Sequence, residues 1–255
     1  MEWYYYLAVV GIGIIAGFIN TLAGGGSLLT LPLLMFLGLP ANVANGTNRI
    51  AILLQNVVGV TSFKKQKIFQ LKEGIWLAIP AVTGSLAGAQ IAVNFSEEIM
   101  RKVIASLLLL MFIIILVKPE GWINGRDGKP IGRPTLLQIL IFFLIGIYGG
   151  FIQAGVGFFL LAGLVLGAGV DLVKANALKV FIILLYTPFA LLIFMIHDQV
   201  DYKTGLILAA GNMLGAFIGS RVAVSWGPAF VRIVLLTALF FSAIKLLGFF
   251  DLFLR

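Results

Sequence analysis

Apolar runs of about 20 residues, the length that crosses a bilayer, follow one another along almost the whole chain. They predict membrane-spanning helices near 3–22, 74–94, 99–117, 135–153, 203–224 and 228–248. Two further regions, 27–63 and 155–196, have a different pattern. Each holds a short apolar piece, an interruption, and then a longer apolar piece. The pattern gives eight to ten membrane segments. The runs are continuous rather than alternating, which excludes a β-barrel. The first run has Glu2 and no basic residue ahead of it, so it is expected to remain as a span and not to be cleaved as a leader.

The apolar pattern repeats. At an offset of 131, residues 23–116 align with 154–247 without a gap, and about a quarter of the positions are identical. Gly24/Gly155, Gly26/Gly157, Gly38/Gly169, Asn45/Asn176, Gly84/Gly215 and Gly88/Gly219 are among the matches. Just upstream, "GFIN" at 17–20 pairs with "GFIQ" at 150–153 after a two-residue slip. The chain divides into a first repeat over 1–117, a cytoplasmic linker over 118–134 and a second repeat over 135–255, all one transmembrane domain. The linker and the loop "KKQKIFQLK" (64–72) each hold four Lys or Arg. The repeat mate of that loop, "MIHDQVDYK" (195–203), has one lysine and two aspartates. Equivalent loops thus carry opposite orientation signals, which predicts two inverted-topology repeats with both termini outside.

The two interrupted regions are the strongest pointer to a binding site. Paired glycine-interrupted segments in corresponding positions of two halves mark such sites in transporters. A broken helix at membrane depth leaves backbone groups that lipid cannot satisfy, so it must face protein or a water-filled cavity. Gly24, Gly25 and Gly26 open the first break; Gly155 and Gly157 open the second. Behind the first break, Asn45, Asn48, Arg49 and Asn56 share roughly one helical face. Their mates are Asn176, Lys179, Val180 and Thr187. Each half therefore supplies one cation beside its break, Arg49 or Lys179. Asn20 and Gln153 end the first span of each half and could complete a cavity or merely cap a helix. Two cations, amide donors and half-helix N-termini describe an anion site near the midplane. The bland alternative has Arg49 and Lys179 snorkelling to opposite interfaces, with the asparagines as interhelical glue. Small-xxx-small pairs such as Gly84/Gly88 read as close helix packing.

Composition sharpens this picture. Of 255 residues, 61% are hydrophobic and 11% charged, too apolar for a soluble domain of this size. The net charge of +8 lies in short loops, where it sets orientation, so no nucleic-acid partner is expected. Cysteine is absent, and with it any thiolate metal site. No HExxH, GxSxG or histidine cluster occurs, so neither an enzyme nor a resident metal or cofactor is expected. All ten carboxylates lie in loops or near span ends, and the single histidine, His197, sits in a loop. With no acidic or histidine relay, three options remain for the driving force: passive movement of the anion, sodium held by carbonyls at the breaks, or a proton carried by the solute itself.

"GFINTLAGGGSLLTLPLL" followed by "ANGTNRIAILLQN", with a weaker echo in the second half, resembles the sulfite exporter TauE/SafE family, also called the toluenesulfonate uptake permease family. The resemblance covers essentially the whole chain. It implies an all-α integral membrane protein of the cell (inner or plasma) membrane with two inverted halves. It implies a secondary transporter of a small sulfur-containing anion such as sulfite, a sulfonate or a sulfoacetate-like ion. An anion channel, or a permease for a non-sulfur organic anion, is the alternative. By position, Gly24, Gly25, Gly26, Asn45, Thr47, Asn48 and Arg49 match the first-half motif, and Gly155, Gly157, Asn176 and Lys179 the second. Val156 and Phe158 stand where a glycine and a small residue are usual, and Leu178 where a hydroxyl is usual. The first half, helped by Lys179, is therefore expected to bind the substrate. The partners expected are that anion, membrane lipid, and a second copy in a homo-oligomer.

Overall fold

The computed structural model describes residues 3–68, 71–104, 106 and 134–246, with side chains from 6 onward and up to 226, except those of 71–73. Most of the linker, and most of the span expected at 99–117, lie outside the described residues. Helix and connecting loop account for all of the rest, with no strand among the described residues.

Helix α1 (Trp3–Leu22) is followed by the short α2 (Ser27–Phe36) and the long α3 (Ala41–Lys65). Helix α4 (Leu71–Val93) leads into α5, helical from 97 to 104. The second half runs α6 (Leu136–Phe151), α7 (Val156–Ala162), a π-helical turn (Gly163–Gly167), α8 (Leu172–Ile196) and α9 (Tyr202–Leu246). The two interrupted regions thus each resolve into a short helix and a 25-residue one. The spans expected at 3–22, 74–94 and 135–153 correspond to α1, α4 and α6. One boundary differs. Spans 203–224 and 228–248 form a single 45-residue helix that continues through Pro228. A proline removes one backbone bond and kinks a helix without obliging the chain to turn back. At about 1.5 Å per residue, α9 is about 68 Å long, more than twice the thickness of a bilayer core.

Among the described residues, three helical stretches are long and apolar enough to span a membrane: Gly74–Val93, Leu172–Ile196 and Tyr202–Trp226. Their outer faces are apolar too. Ile15, Trp76, Ile79, Leu137, Leu144, Phe189, Leu192, Phe217 and Ile218 are all substantially exposed. In water such a belt would drive association; in lipid it is the solvated face.

Packing repeats with the sequence. Helix α1 lies along α9, and its mate α6 lies along α4; α3 packs on α9, and its mate α8 on α4. Helices α3 and α8 also touch each other and form the centre. Residues 44–52 of α3 are buried on every side, and so are their mates 175–183 of α8. The close pairs are made by small residues. A Cβ on Gly84 or Gly88 would strike the carbonyl of Phe143 or Ile147 on α6, and one on Gly211 or Gly215 would strike that of Val10 or Ile14 on α1.

Gly88→Leu should therefore destabilise the fold by roughly 1–3 kcal/mol or abolish it, as overpacking does. Gly11→Leu, where an added Cβ meets nothing within 4 Å, should leave thermal unfolding in detergent unchanged. Equal melting of the two variants would refute this packing.

Candidate functional site

Each break contains a glycine in the left-handed region, although α6 itself ends at an extended Ile152. Gly24 follows α1 with φ of +88°, and its mate Gly155 precedes α7 with φ of +73°. A left-handed glycine behind a helix ends it without the steric cost that a side chain would bring. The breaks also meet. A Cβ on Gly24 would collide with the Cα of Gly157, and one on Gly157 with the Cα of Gly24. Backbone therefore lies on backbone where the halves join. Gly25 faces the ring of Phe158, whose Cζ would stand 2.7 Å from an added Cβ. Phe158 occupies the place that Ser27 holds in the first half, so the junction is lined differently on its two sides.

Each cation reaches across to the opposite break. Arg49 sits about 12 Å from one end of α3 and about 24 Å from the other, too deep to reach an interface easily. Its guanidinium is fully buried and lies 4.5 Å from the Phe194 ring. One terminal nitrogen donates to the Gly149 carbonyl at 3.1 Å and to Gln153 Oε1 at 3.4 Å; the other donates to the Gly150 carbonyl at 2.6 Å. Gly149 and Gly150 lie in the last turn of α6, whose carbonyls have no helical partner ahead of them. Lys179 does the same in reverse. Its fully buried ammonium donates to the carbonyls of Asn20 and Thr21, both at 2.9 Å, in the last turn of α1, and to Asn176 Oδ1 at 2.8 Å. A cation from each half thus holds the broken helix end of the other half. Positive charge there also complements the negative end of the helix dipole. Neither cation snorkels.

Among the described residues no carboxylate balances them. Among the described residues the only ion pairs are Glu97–Arg101 and Glu98–Lys102, both exposed on α5. Lys179 spends all three ammonium hydrogens on its three acceptors. Arg49 keeps its Nε–H without a partner.

The remaining candidates divide between the two ends. Asn45 Nδ2 donates to the Phe151 carbonyl at 2.8 Å, beside Arg49, and its Oδ1 has no partner. Its mate Asn176 uses its oxygen on Lys179 and leaves Nδ2 without a partner. Asn48 accepts from Thr30 at 2.7 Å and donates to Ser27 at 3.1 Å, tying α3 to α2. Thr47 lies apart from both cations, accepting from the Asp201 N–H at 2.8 Å in the loop before α9. Asn20 donates to Gln55 at 3.3 Å, and Gln153 donates to the Tyr186 hydroxyl at 2.9 Å. Those two pairs are equivalent, because Gln55 and Tyr186 are repeat mates at the 131 offset. The polar stripe in the sequence passed over Gln55 and Tyr186, which the offset alone would have paired. Asn212, on α9, also donates to Gln55, at 3.2 Å. A double-mutant cycle of Gln153→Ala with Tyr186→Phe should give a coupling of about 0.5–1.5 kcal/mol in thermal unfolding. Additive effects would show that this bond is not made.

Nearly the whole chain is similar to a family of known membrane proteins. The family model described as "Sulfite exporter TauE/SafE" matches residues 9–246. The chain is 29% identical over 234 residues to the probable membrane transporter protein ORF9 of Sinorhizobium sp, covering 92% of this chain and 89% of that one. It is 29% identical over 222 residues to the probable membrane transporter protein YfcA of Escherichia coli strain K12, covering 87% and 81%. A probable membrane transporter protein of Haemophilus influenzae is 26% identical over 235 residues, covering 92% and 91%. No solved structure matches the chain. The chain belongs to the sulfite exporter TauE/SafE family, whose relatives are named as membrane transporters and not as enzymes.

Proposed function

We propose that the protein is a secondary transporter of a small sulfur-containing anion, such as sulfite, a sulfonate or a sulfoacetate-like ion. The anion is held where the two breaks meet. One observation carries this reading: Arg49 and Lys179 are fully buried, without a carboxylate partner among the described residues. A helix C-terminus offsets about half an elementary charge, so two cations on two such ends leave roughly one positive charge uncompensated. A monovalent oxyanion would balance it. The free Nε–H of Arg49 and the free Nδ2 of Asn176 are donors left for it. Arg suits an oxyanion because it donates in a planar fork. The sulfur chemistry is supported by the family's description rather than by the geometry.

The two halves are proposed to lie in the membrane with inverted topology. The paired left-handed glycines, the crossed cation contacts and the exchanged helix packing support this. The N-terminus and the loop before α9 then face outward and the basic loop 64–72 faces the cytoplasm; a continuous α9 makes one crossing instead of two and carries its far end to the cytoplasmic side, not outside as two separate spans would. Alternating access comes from rocking one half against the other around the breaks.

Sulfite or methanesulfonate should raise the melting temperature of the detergent-solubilised protein, since a ligand at about 100 times its Kd stabilises by about 2.7 kcal/mol. Acetate should do less, and Arg49→Gln should remove the shift. An undiminished shift in that variant would take Arg49 out of the site. The chain has no cysteine, so single cysteines report topology cleanly. A membrane-impermeant thiol reagent applied outside should label Asp198→Cys and not Gln66→Cys; the opposite pattern would refute the orientation.

A further inference from the structure

We propose that Lys179 carries a proton in the transport cycle, so that the protein moves one proton with each anion. This rests on the transporter reading above and adds the coupling ion to it. A lysine fills the α1 break. The Asn20 and Thr21 carbonyls and Asn176 Oδ1 form a three-oxygen cage of the kind that could take a sodium ion. In this chain the lysine ammonium occupies it, at 2.8–2.9 Å from all three oxygens. The cation there is therefore tethered, and only its proton can come and go.

The two cations differ in a way that suits two jobs. Arg49 stays charged at any accessible pH and acts as a fixed charge, whereas a buried lysine readily gives up its proton. Among the described residues, the elements around Lys179 bring no histidine and no buried carboxylate near it. Between Leu7 and Leu22 of α1, Gly74 and Val93 of α4, and Thr204 and Ser220 of α9, no side chain is ionisable. Helix α3 presents Arg49 alone between Ala41 and Phe63. Helix α6 presents Tyr148; α8 itself adds Tyr186 further along, and Asp171 and Lys174 at its start. Among the described residues Lys179 is thus the one amine at the centre, with no histidine or carboxylate beside it to exchange a proton in its place.

Loss of that proton would loosen the break. The ammonium supplies three N–H donors for three acceptors; the neutral amine supplies two, and turns a lone pair toward oxygen. One of the three oxygens then loses its N–H from Lys179, and of the two on α1 only the Asn20 carbonyl has a second donor, the Gly24 N–H at 2.9 Å. In the cycle, the protein crosses with the ammonium and the anion together. On the far side the anion leaves, one Nζ–H bond breaks, the electron pair stays on nitrogen, and the proton passes to water. The empty protein returns with a neutral amine and takes a proton from water on the first side. Net charge moved by Lys179 and the anion together is zero.

Methanesulfonate is the informative probe, because it is ionised at every accessible pH and brings no proton of its own. Purified protein in vesicles containing a pH-sensitive dye should admit one proton per methanesulfonate. Lys179→Arg keeps a cation on the cage and cannot release its proton. In that variant the ratio of net uptake to anion-for-anion counterflow should fall by at least about tenfold, with proton entry falling alongside. Wild-type methanesulfonate uptake without proton entry would overturn the proposal, and so would a variant with wild-type net uptake and proton entry. Should Lys179→Arg fail to fold, the wild-type proton measurement decides alone. If only sulfite is carried, the same measurement above its second ionisation replaces methanesulfonate. Vesicles that exchange neither anion would overturn the transporter reading itself.

Discussion

A backbone carbonyl at the end of a broken helix has no water to turn to inside a membrane. The rest of the structure follows from how this chain satisfies such groups. It breaks two helices near its centre, behind Leu22 and behind Phe151, and brings in a cation for each. The cation never comes from the half that contains the break. Arg49 of the first half holds the end of α6, and Lys179 of the second holds the end of α1. Each half is therefore incomplete alone, and two fully buried cations join its halves. Hydrogen bonds from charged groups contribute about 1.5–3 kcal/mol each, and leaving such a group buried and unpaired costs at least as much.

This crossed arrangement gives the junction its electrostatic character. Neutralising the two cations with carboxylates would have made it inert. With carbonyl dipoles instead, the cations are positioned but only partly compensated, as the proposed anion site requires. Small residues let the arrangement close, since Gly24 and Gly157 touch through their backbones and neither position has room for a side chain. The junction is not symmetric. Phe158 presses on Gly25 where symmetry would have placed a serine, and a lysine stands opposite an arginine. Those differences fall on the residues nearest the breaks, whereas the helix packing around them repeats faithfully.

Much of the fold could be read from the chain. The breaks were visible because glycine is the residue that reaches the left-handed region without strain, and it recurs at 24 and 155, and at 38 and 169. The short-then-long helix pattern followed from where apolar runs stop. The extent of α9 was not visible, because Pro228 marks a possible turn in sequence and permits a continuous helix in space. At the site, the residue types were legible and their partners were not. Arg49 and Lys179 bond mainly to backbone carbonyls, and a carbonyl belongs to every residue, so it leaves no mark in the sequence. Gln55 and Tyr186 differ in chemistry although they hold the same place in the repeat, and a search for matching residue types passes over them.

The claim that an anion rests between the two breaks on the buried guanidinium can be tested by locating one there. Selenite has the shape and charge of sulfite and scatters anomalously. In crystals of the wild-type protein grown with it, a selenium peak should lie within about 4 Å of the Arg49 guanidinium, the reach of a charge-assisted hydrogen bond to an oxyanion. Selenium found only at the membrane-facing periphery, with the Arg49 guanidinium still bonded solely to Gly149, Gly150 and Gln153, would contradict it.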